Sequence, residues 1–223
     1  MNDERRRERT DGESRDMRVI VGVTGASGAI LAERLLQVLR ERLVEVDLII
    51  TPAGRYIVKH ELDAPEKLEE LATETYDIYD TAADIASGSQ YAGSQNRVAL
   101  IVIPCTMNVV AKMAHGISDN LLLRVFDVAL KEGKKIIIVP REVPLNENHL
   151  ENLLKLRKMG VIIIPPLMTF YYKPRRIEDM VDYIIQKICD HLNITCELVP
   201  RWHTDNTSKM RRDEGDVGDD TMV

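Results

Sequence analysis

Five short apolar runs, rich in Val and Ile, are spaced along the chain and separated by helical patterns. They cover residues 19–23, 46–50, 98–103, 135–139 and 161–164. Short, largely apolar runs predict strands buried on both faces, as in a parallel sheet. Apolar residues at helical spacing lie between and after them, at 28–40, 109–114, 120–130, 149–159 and 177–192. This alternation predicts an α/β protein with a three-layer, Rossmann-like (flavodoxin-like) fold and a mostly parallel sheet.

The two ends differ in composition from this middle. Residues 1–16 are rich in Arg, Glu and Asp, and residues 203–223 are polar and become acidic towards the end. Such compositions bury little surface, so both segments are predicted to be disordered tails. Residues 17–202 are predicted to form one domain, because 223 residues with 44% apolar content suffice for one buried core. Residues 62–83 are weakly patterned and predict a short helix plus a loop.

Charge and cysteine content narrow the classes of partner. The chain has 30 Lys and Arg against 36 Asp and Glu, a net charge of -6, so neither nucleic acid nor an anionic membrane is expected to bind it. No apolar run reaches the roughly 18 residues of a membrane span, and no signal peptide is visible, which predicts a cytoplasmic protein. Cys105, Cys189 and Cys196 form no C-x-x-C pattern, so reduced thiols and no metal site are predicted.

The first loop of chemical interest is 24–28, between the first strand and the first helix. Its glycines allow a tight turn, and the amides at the helix start can face an anion, so a cofactor phosphate is predicted here. The spacing of Gly22, Gly25 and Gly28 is not the dinucleotide pattern G-x-G-x-x-G, and no acidic residue ends the second strand. The alternative is a glycine turn with a purely structural role.

The second loop, 103–108, also joins a buried strand to a helix. Thr106 offers a hydroxyl and Asn108 an amide, together with backbone donors, so this turn is predicted to hold the polar edge of a flavin ring. The alternative is that Thr106 only caps the helix and Cys105 packs as a small apolar residue.

Two further loops follow the last two predicted strands. In 139–145, Arg141 and Glu142 lie between two prolines and suit anion binding and proton transfer, with Lys131 adding positive charge. The alternative is a surface salt bridge worth about 0 to 1 kcal/mol. The loop 165–174 concentrates aromatic residues beside a lysine in a chain that is only 4% aromatic. It suits an apolar group attached to a phosphate, or ordinary loop packing.

Taken together, these segments resemble the UbiX family of flavin prenyltransferases, within the larger group of homo-oligomeric flavin-containing proteins. The resemblance covers about residues 17–202, and seven segments match in order: 25–28, 86–89, 104–107, 119–124, 127–132, 140–145 and 170–171.

The resemblance implies site residues at the matching positions. Cofactor contacts are expected from Gly25, Ala26, Ser27, Thr51, Ser89, Thr106, Met107, Asn108, Val109 and Arg141. Catalytic roles are expected for Glu61, Arg124, Lys131 and Glu142, and substrate contacts for Tyr171, Lys187 and Trp202. The chain departs from the family in having Thr51 where Ser is common, Asn108 where some members have Lys, and Lys187 where Arg is frequent. Lys187 keeps the positive charge of an arginine but lacks the planar guanidinium group, which can bind a phosphate through two hydrogen bonds.

The resemblance also implies a reaction. Such proteins transfer a dimethylallyl group from dimethylallyl phosphate to N5 and C6 of reduced FMN without a metal, and the prenylated FMN serves UbiD-type decarboxylases. Lys131, Arg141 and Lys187 would stabilise the departing phosphate, Glu142 would move protons, and Tyr171 and Trp202 would shelter allylic cation character. The implied assembly is a homo-oligomer, a dodecamer, with active sites at subunit junctions.

Three other functions compete with this interpretation. The related cysteine decarboxylases use a His shortly before the strand that ends at Pro104, and no His lies between Glu61 and Arg97. A non-catalytic FMN carrier would not require the rigid pair of Arg141 and Glu142. Direct decarboxylation of aromatic acids would need a separate acid-binding pocket, which the sequence does not indicate.

Overall fold

The computed structural model describes residues 17–91 and 97–202, so the predicted tails at 1–16 and 203–223 lie outside the described residues. Its centre is a six-stranded sheet with the order β3-β2-β1-β4-β5-β6, in which every neighbouring pair is parallel. The strands are β1 Met17–Val23, β2 Glu45–Ile50, β3 Glu74–Tyr76, β4 Arg97–Cys105, β5 Lys135–Pro140 and β6 Ile162–Ile163. The predicted parallel sheet is confirmed.

Helices cover both faces of this sheet. They are α1 Ala29–Glu41, α2 Pro52–Glu61, α3 Lys67–Glu70, α4 Met107–Ala114, α5 Leu121–Lys131, α6 Glu147–Lys158 and α7 Ile177–Leu192. Helices α1, α2, α3 and α7 contribute to one apolar core, and α4, α5 and α6 to the other. The three-layer α/β architecture is therefore confirmed. None of the helices in the described ranges is long and apolar enough to cross a bilayer.

Burial on both faces explains why the strands are so apolar. Successive side chains of a strand point to opposite faces, so Val19 and Val21 pack in the core under α1 and α7, whereas Ile20 packs in the core under α5. Each of these three side chains is buried. A strand in this position favours apolar residues on both faces, and two polar exceptions, Arg18 in β1 and Asp47 in β2, are paired with each other.

Two elements were missed from the sequence, and one is shorter than predicted. Helix α2 buries only Gly54 and Val58, so it lacks the apolar stripe that marks a helix. Strand β3 has three residues and lies at the sheet edge, within the segment predicted as a short helix plus a loop. The predicted strand at 161–164 is a two-residue, half-buried edge strand.

Candidate active site

Three helices begin at the carboxyl edge of the sheet, directly after the neighbouring strands β2, β1 and β4. The α2 start is capped by the Thr51 hydroxyl, which accepts from the Gly54 amide at 3.0 Å, and the α4 start by Thr106, which accepts from Val109 at 3.2 Å. The third helix, α1, follows Gly28, whose φ of 117 places it in the left-handed region. Three adjacent helix N-termini give this edge a favourable potential for anions.

Thr24 connects the first two loops of this edge. Its buried hydroxyl donates to the Pro104 carbonyl at 2.8 Å and accepts from the Thr106 amide at 2.9 Å. The Thr24 amide also donates to the Pro104 carbonyl, at 3.2 Å. Thr24 was not among the predicted site residues, although a hydroxyl directly after a buried apolar strand is a usable signal. Thr24 fixes the position of the β4–α4 turn relative to the β1–α1 turn.

Close packing between the first loop and α2 explains two of the glycines. A Cβ added at Gly25 would lie 2.5 Å from the Cβ of Ala53, and one added at Gly54 would lie 2.5 Å from the Val23 carbonyl oxygen. Contacts that short do not occur between real atoms, so both positions require glycine. Close packing against Ala53 is therefore one reason for the glycine at position 25, and the predicted contact of Gly25 with the cofactor stays a prediction.

Glu61, at the end of α2, lies against the start of α1. Its Oε2 accepts from the amides of Gly28 and Ala29, both at 2.8 Å. Burial alone would raise the pKa of Glu61, but hydrogen bonds from Ser27, Gly28 and Ala29, with the nearby charge of Arg141, lower it below its usual value. The structure thus brings Ser27, Glu61 and Arg141 together. The amides of Gly28 and Ala29, at the start of α1, are therefore hydrogen-bonded to Glu61.

Arg141 and Glu142 follow β5 at the same edge. The Arg141 amide donates to the Cys105 carbonyl at 3.2 Å, and the Glu142 side chain accepts only from its own neighbour, the Val143 amide, at 3.1 Å. Both side chains are exposed. Within residues 17–91 and 97–202 no ion pair joins Arg141 to Glu142, so the alternative of a salt bridge between them is wrong. Both charged groups are available to a ligand.

In the β4–α4 turn, backbone groups are more available to a ligand than side chains are. Cys105, Met107 and Val109 are buried, and burial raises the pKa of the Cys105 thiol, which confirms that Cys105 packs as an apolar residue. Asn108 is exposed. Of the four residues predicted to contact the cofactor here, Thr106 and Asn108 alone have polar side chains.

An apolar cavity of about 240 Å³ lies beside Ser27 and Arg141. Its walls come from the start of α1, the loop after β6 and the first half of α7. The apolar lining residues are Ile30, Leu31, Pro166, Leu167, Met168, Ile177, Met180, Val181 and Ile184. The site therefore combines a polar edge with an apolar compartment.

The three predicted substrate residues belong to one aromatic cluster beside α7. The rings of Tyr171 and Trp202 are 5.4 Å apart, and those of Tyr171 and Tyr183 are 6.2 Å apart, both edge to face. The Nζ of Lys187 lies 5.5 Å from the centre of the Tyr183 ring. Tyr183 was not among the predicted site residues, although it lies one helical turn before Lys187. The Tyr183 ring is close to both Lys187 and Tyr171 and so connects Lys187 to the aromatic cluster.

Arg124, Lys131 and Ser89 form a third group, along α5. Arg124 and Lys131 are two turns apart and accessible to solvent, and they form ion pairs with Asp127 at 3.2 Å and Glu132 at 2.7 Å. A Cβ added at Gly88 would lie 2.8 Å from the Lys131 Nζ, which places the 87–89 turn against Lys131. The structure thus brings Gly88, the neighbour of Ser89 in the chain, against Lys131.

Comparison with known proteins identifies the family. The family model named Flavoprotein matches residues 7–189. The flavin prenyltransferase UbiX of Methanocaldococcus jannaschii is 44% identical over 189 residues, which is 84% of this chain and 100% of that protein. This chain belongs to the UbiX family.

Solved structures agree with this membership. A dodecameric FMN-dependent UbiX-like decarboxylase from Escherichia coli O157:H7 is 38% identical and has a TM-score of 0.79, with 84% of this chain and 100% of that one covered. A UbiX protein in complex with FMN and dimethylallyl pyrophosphate is 35% identical with the same TM-score, and 84% and 97% of the chains are covered.

The predicted site residues of this UbiX-family protein do not all lie together within one copy of the chain. Helix α5 ends at Lys131, shortly before β5 begins, whereas Arg141 directly follows the last residue of β5. A six-residue strand is about 20 Å long at roughly 3.3 Å per residue, so Lys131 and Arg141 lie at opposite edges of the sheet. Among the described residues, no hydrogen bond or ion pair joins three groups to one another: the edge group (Ser27, Glu61, Arg141 and Glu142), the aromatic cluster, and the α5 group (Ser89, Arg124 and Lys131). No group of three or more His, Cys, Asp or Glu in those ranges could hold a metal ion.

Proposed function

We propose that this protein is a flavin prenyltransferase that binds reduced FMN and transfers a dimethylallyl group from dimethylallyl phosphate to N5 and C6 of the flavin. The observation that supports this most is the placement of Ser27, Glu61, Arg141 and Glu142 at one edge of the sheet, beside an apolar cavity, in a chain 44% identical to a flavin prenyltransferase over that protein's whole length.

The residues at the carboxyl edge fit FMN. The prediction from sequence placed the phosphate at 24–28, but Glu61 takes the Gly28 and Ala29 amides there. The turn 106–109 and the Thr51 hydroxyl would hold the phosphate end instead, because the amides at the start of α4 have no partner within that helix. Ser27, Arg141 and the apolar cavity would hold the ring, whose surface is apolar and whose rim carries polar atoms. Reduced FMN supplies the two nucleophilic ring positions when it is bound.

The chain's own residues would supply positive charge and proton transfer. Breaking an allylic carbon–oxygen bond leaves charge on the departing phosphate, and Lys131, Arg141 and Lys187 would stabilise it. Glu142, in its protonated carboxyl form, would give a proton to the phosphate oxygen, and the resulting carboxylate would accept one from C6; its exposed side chain has no ion-pair partner among the described residues and is free to approach a ligand. Tyr171 and Trp202 present π surface to positive character on the allyl group.

We further propose that each active site is built from more than one copy of the chain. Lys131 and Arg141 lie at opposite ends of β5, about 20 Å apart, so Lys131 cannot reach the phosphate that Arg141 holds in the same copy. Arg141, Glu142 and Lys131 are all exposed, so they are free to meet across a contact between copies. A heterologous contact closes into a ring when its rotation closes, and a dodecameric relative supports such a closed assembly.

The reaction is tested directly with the purified protein. The protein is incubated anaerobically with reduced FMN and dimethylallyl monophosphate. The flavin is then extracted and its mass is measured by mass spectrometry. A flavin heavier by the five-carbon unit supports the proposal, whereas unchanged FMN from folded, FMN-loaded protein excludes it. Glu142→Gln is expected to keep FMN bound and to slow turnover by about 100-fold or more. Undiminished turnover would remove Glu142 from its role.

The shared site is tested by mixing inactive variants. Copies carrying Glu142→Gln and copies carrying Lys131→Ala are co-expressed with different tags and purified as mixed oligomers. With random mixing, about a quarter of the sites receive an intact edge group from one copy and an intact Lys131 from another, so part of the activity returns. The control pairs Glu142→Gln with Arg141→Ala, both in the edge group, and should stay inactive. Equal activity in the two mixtures would exclude sharing.

The remaining assignments complete the proposal. Residues 17–202 form the flavoprotein domain, with 1–16 and 203–223 as tails, and a version trimmed to 17–202 is expected to keep its activity. The assembly is a dodecamer, as in the E. coli relative, and a mass measurement on the intact oligomer tests that. The protein acts in the cytoplasm, and the product passes to a UbiD-type decarboxylase.

A further inference from the structure

Gln186 is a buried polar side chain in the second half of α7 that has no part in the proposed prenyl transfer. Among the described residues, the buried polar side chains are those of Thr24, Asp47 and Gln186. Thr24 connects two loops, and Asp47 is paired with Arg18. A polar group is costly to bury unless it is hydrogen-bonded, so the partners of Gln186 show what it does.

The partners of Gln186 lie in the chain that follows α7. Its Oε1 accepts from the amide of Leu198 at 2.8 Å and from that of Val199 at 3.0 Å. Both residues belong to the C-terminal segment 197–202, which is neither helix nor strand. The backbone donors of such a segment have no regular partners. One side-chain oxygen therefore satisfies two successive amides of this segment.

Two other contacts hold the same segment, and both are weaker. Arg201 pairs with Asp190 at 2.6 and 3.2 Å, but both side chains are partly exposed, and an exposed ion pair contributes little. The Tyr171 hydroxyl donates to the Pro200 carbonyl at 3.4 Å, which is long for a bond between two oxygens. The buried contact of Gln186 is thus the main attachment of the segment to α7.

The C-terminal segment carries Trp202, whose ring lies 5.4 Å from that of Tyr171, edge to face. The Trp202 side chain is 63% exposed. It forms no hydrogen bond with any residue in the ranges 17–91 and 97–202. The position of the Trp202 ring is therefore set largely by the backbone that carries it.

We propose that Gln186 is a positioning residue for prenyl transfer. By accepting from the amides of Leu198 and Val199 it holds the C-terminal segment on α7, and it thereby places the Trp202 ring against Tyr171, where the dimethylallyl group binds. The inference rests on the proposed function, because only there do Tyr171 and Trp202 meet a substrate.

Loss of this contact should weaken substrate binding and leave the chemical step unchanged. Gln186→Met keeps the length of the side chain and removes the acceptor oxygen, so the segment opens for part of the time. A ligand that binds only while the segment is closed loses apparent affinity in proportion to the closed fraction. We expect a closed fraction of about a tenth, so KM for dimethylallyl phosphate rises about 10-fold, whereas kcat stays within about twofold because the bound complex is the same.

Three further variants separate positioning from a general loss of stability. Gln186→Glu keeps an acceptor oxygen in either protonation state and should restore KM to nearly the wild-type value. Ile185→Val shortens the neighbouring, fully buried side chain of α7 and is the matched control for lost packing. In a Trp202→Ala background, Gln186→Met should raise KM no further, because substitutions that act through one group are not additive.

The experiment measures two properties of the full chain. The fluorescence anisotropy of Trp202, the only tryptophan, reports on the mobility of the segment without any reaction. It should fall in Gln186→Met and keep the wild-type value in Gln186→Glu and Ile185→Val. Steady-state kinetics with reduced FMN and varied dimethylallyl phosphate then give KM and kcat separately.

The inference is overturned if Gln186→Met keeps the wild-type anisotropy, if its KM is unchanged while the wild type is active, or if Ile185→Val raises KM equally. A Gln186→Glu variant that behaves like Gln186→Met would also overturn it. A wild type that forms no prenylated flavin would instead overturn the proposed function and, with it, the role in catalysis. The anisotropy of Trp202 would still decide whether Gln186 holds the segment.

Discussion

Replacing Thr24 by Val should destabilise the fold more than replacing it by Ser, against the order that burial alone predicts. Valine has nearly the shape of threonine but leaves the Thr106 amide without its acceptor, and the Pro104 carbonyl keeps only the Thr24 amide at 3.2 Å. Leaving a buried donor unpaired costs about 1 to 3 kcal/mol, so we expect a loss of about 2 kcal/mol. Serine keeps the hydroxyl and loses one methyl group, at about 1 kcal/mol.

The measurement is the urea midpoint of wild type, Thr24→Val and Thr24→Ser at one fixed protein concentration, because assembly makes stability depend on concentration. FMN titration of the same samples reports on the β4–α4 turn, which Thr24 positions. We expect the order wild type, Ser, Val in both measurements. If Val proved as stable as wild type, or more stable than Ser, the two hydrogen bonds of the Thr24 hydroxyl would not hold these loops together.

Three further predictions concern other contacts. Glu61→Gln should lose stability at neutral pH by about 1 kcal/mol, and the difference from wild type should vanish as pH falls through the lowered pKa of Glu61; a difference unchanged down to pH 3 in thermal melts would contradict this. Arg18→Met should cost about 3 kcal/mol because it leaves buried Asp47 without its ion-pair partner, and adding Asp47→Leu should recover stability in urea melts. Gly25→Ala should weaken FMN binding by forcing α2 away, and Ala53→Gly in the same chain should restore it.

The sequence predicted those parts of the fold in which burial alone decides the residue type. Strands β1, β2, β4 and β5 are buried on both faces, so their positions follow from runs of apolar residues. Helix α2 and strand β3 are held by other means. Helix α2 depends on the Thr51 cap and on two glycine contacts, and β3 is an edge strand whose tyrosine, Tyr76, is hydrogen-bonded to Arg18.

Part of the candidate site could likewise be predicted from the sequence, and part could not. Loops that follow parallel strands must meet at one edge, so the proximity of Ser27 and Arg141 could be predicted from strand order. The position of Glu61 could not, because its contact with Gly28 and Ala29 depends on the length and direction of α2. The separation of Lys131 from Arg141 did have a signal: a predicted strand, 135–139, lies between them in sequence and must place them at opposite edges.

The Glu61 contact also decides which helix N-termini are open to a cofactor phosphate. Glu61 takes the Gly28 and Ala29 amides at the α1 start, whereas Thr106 takes one first-turn amide of α4, that of Val109. A helix has four such amides, so α4 keeps donors for an anion, and α1 has fewer to offer unless Glu61 leaves. The phosphate end of FMN is therefore favoured on the α4 side, because α2 begins with Pro52, which has no amide, and its Gly54 amide is taken by Thr51. The ring is then favoured on the side of Ser27, Arg141 and the apolar cavity. In that orientation the ring faces the edge at which Glu142 is exposed, where a second copy would have to bring its Lys131.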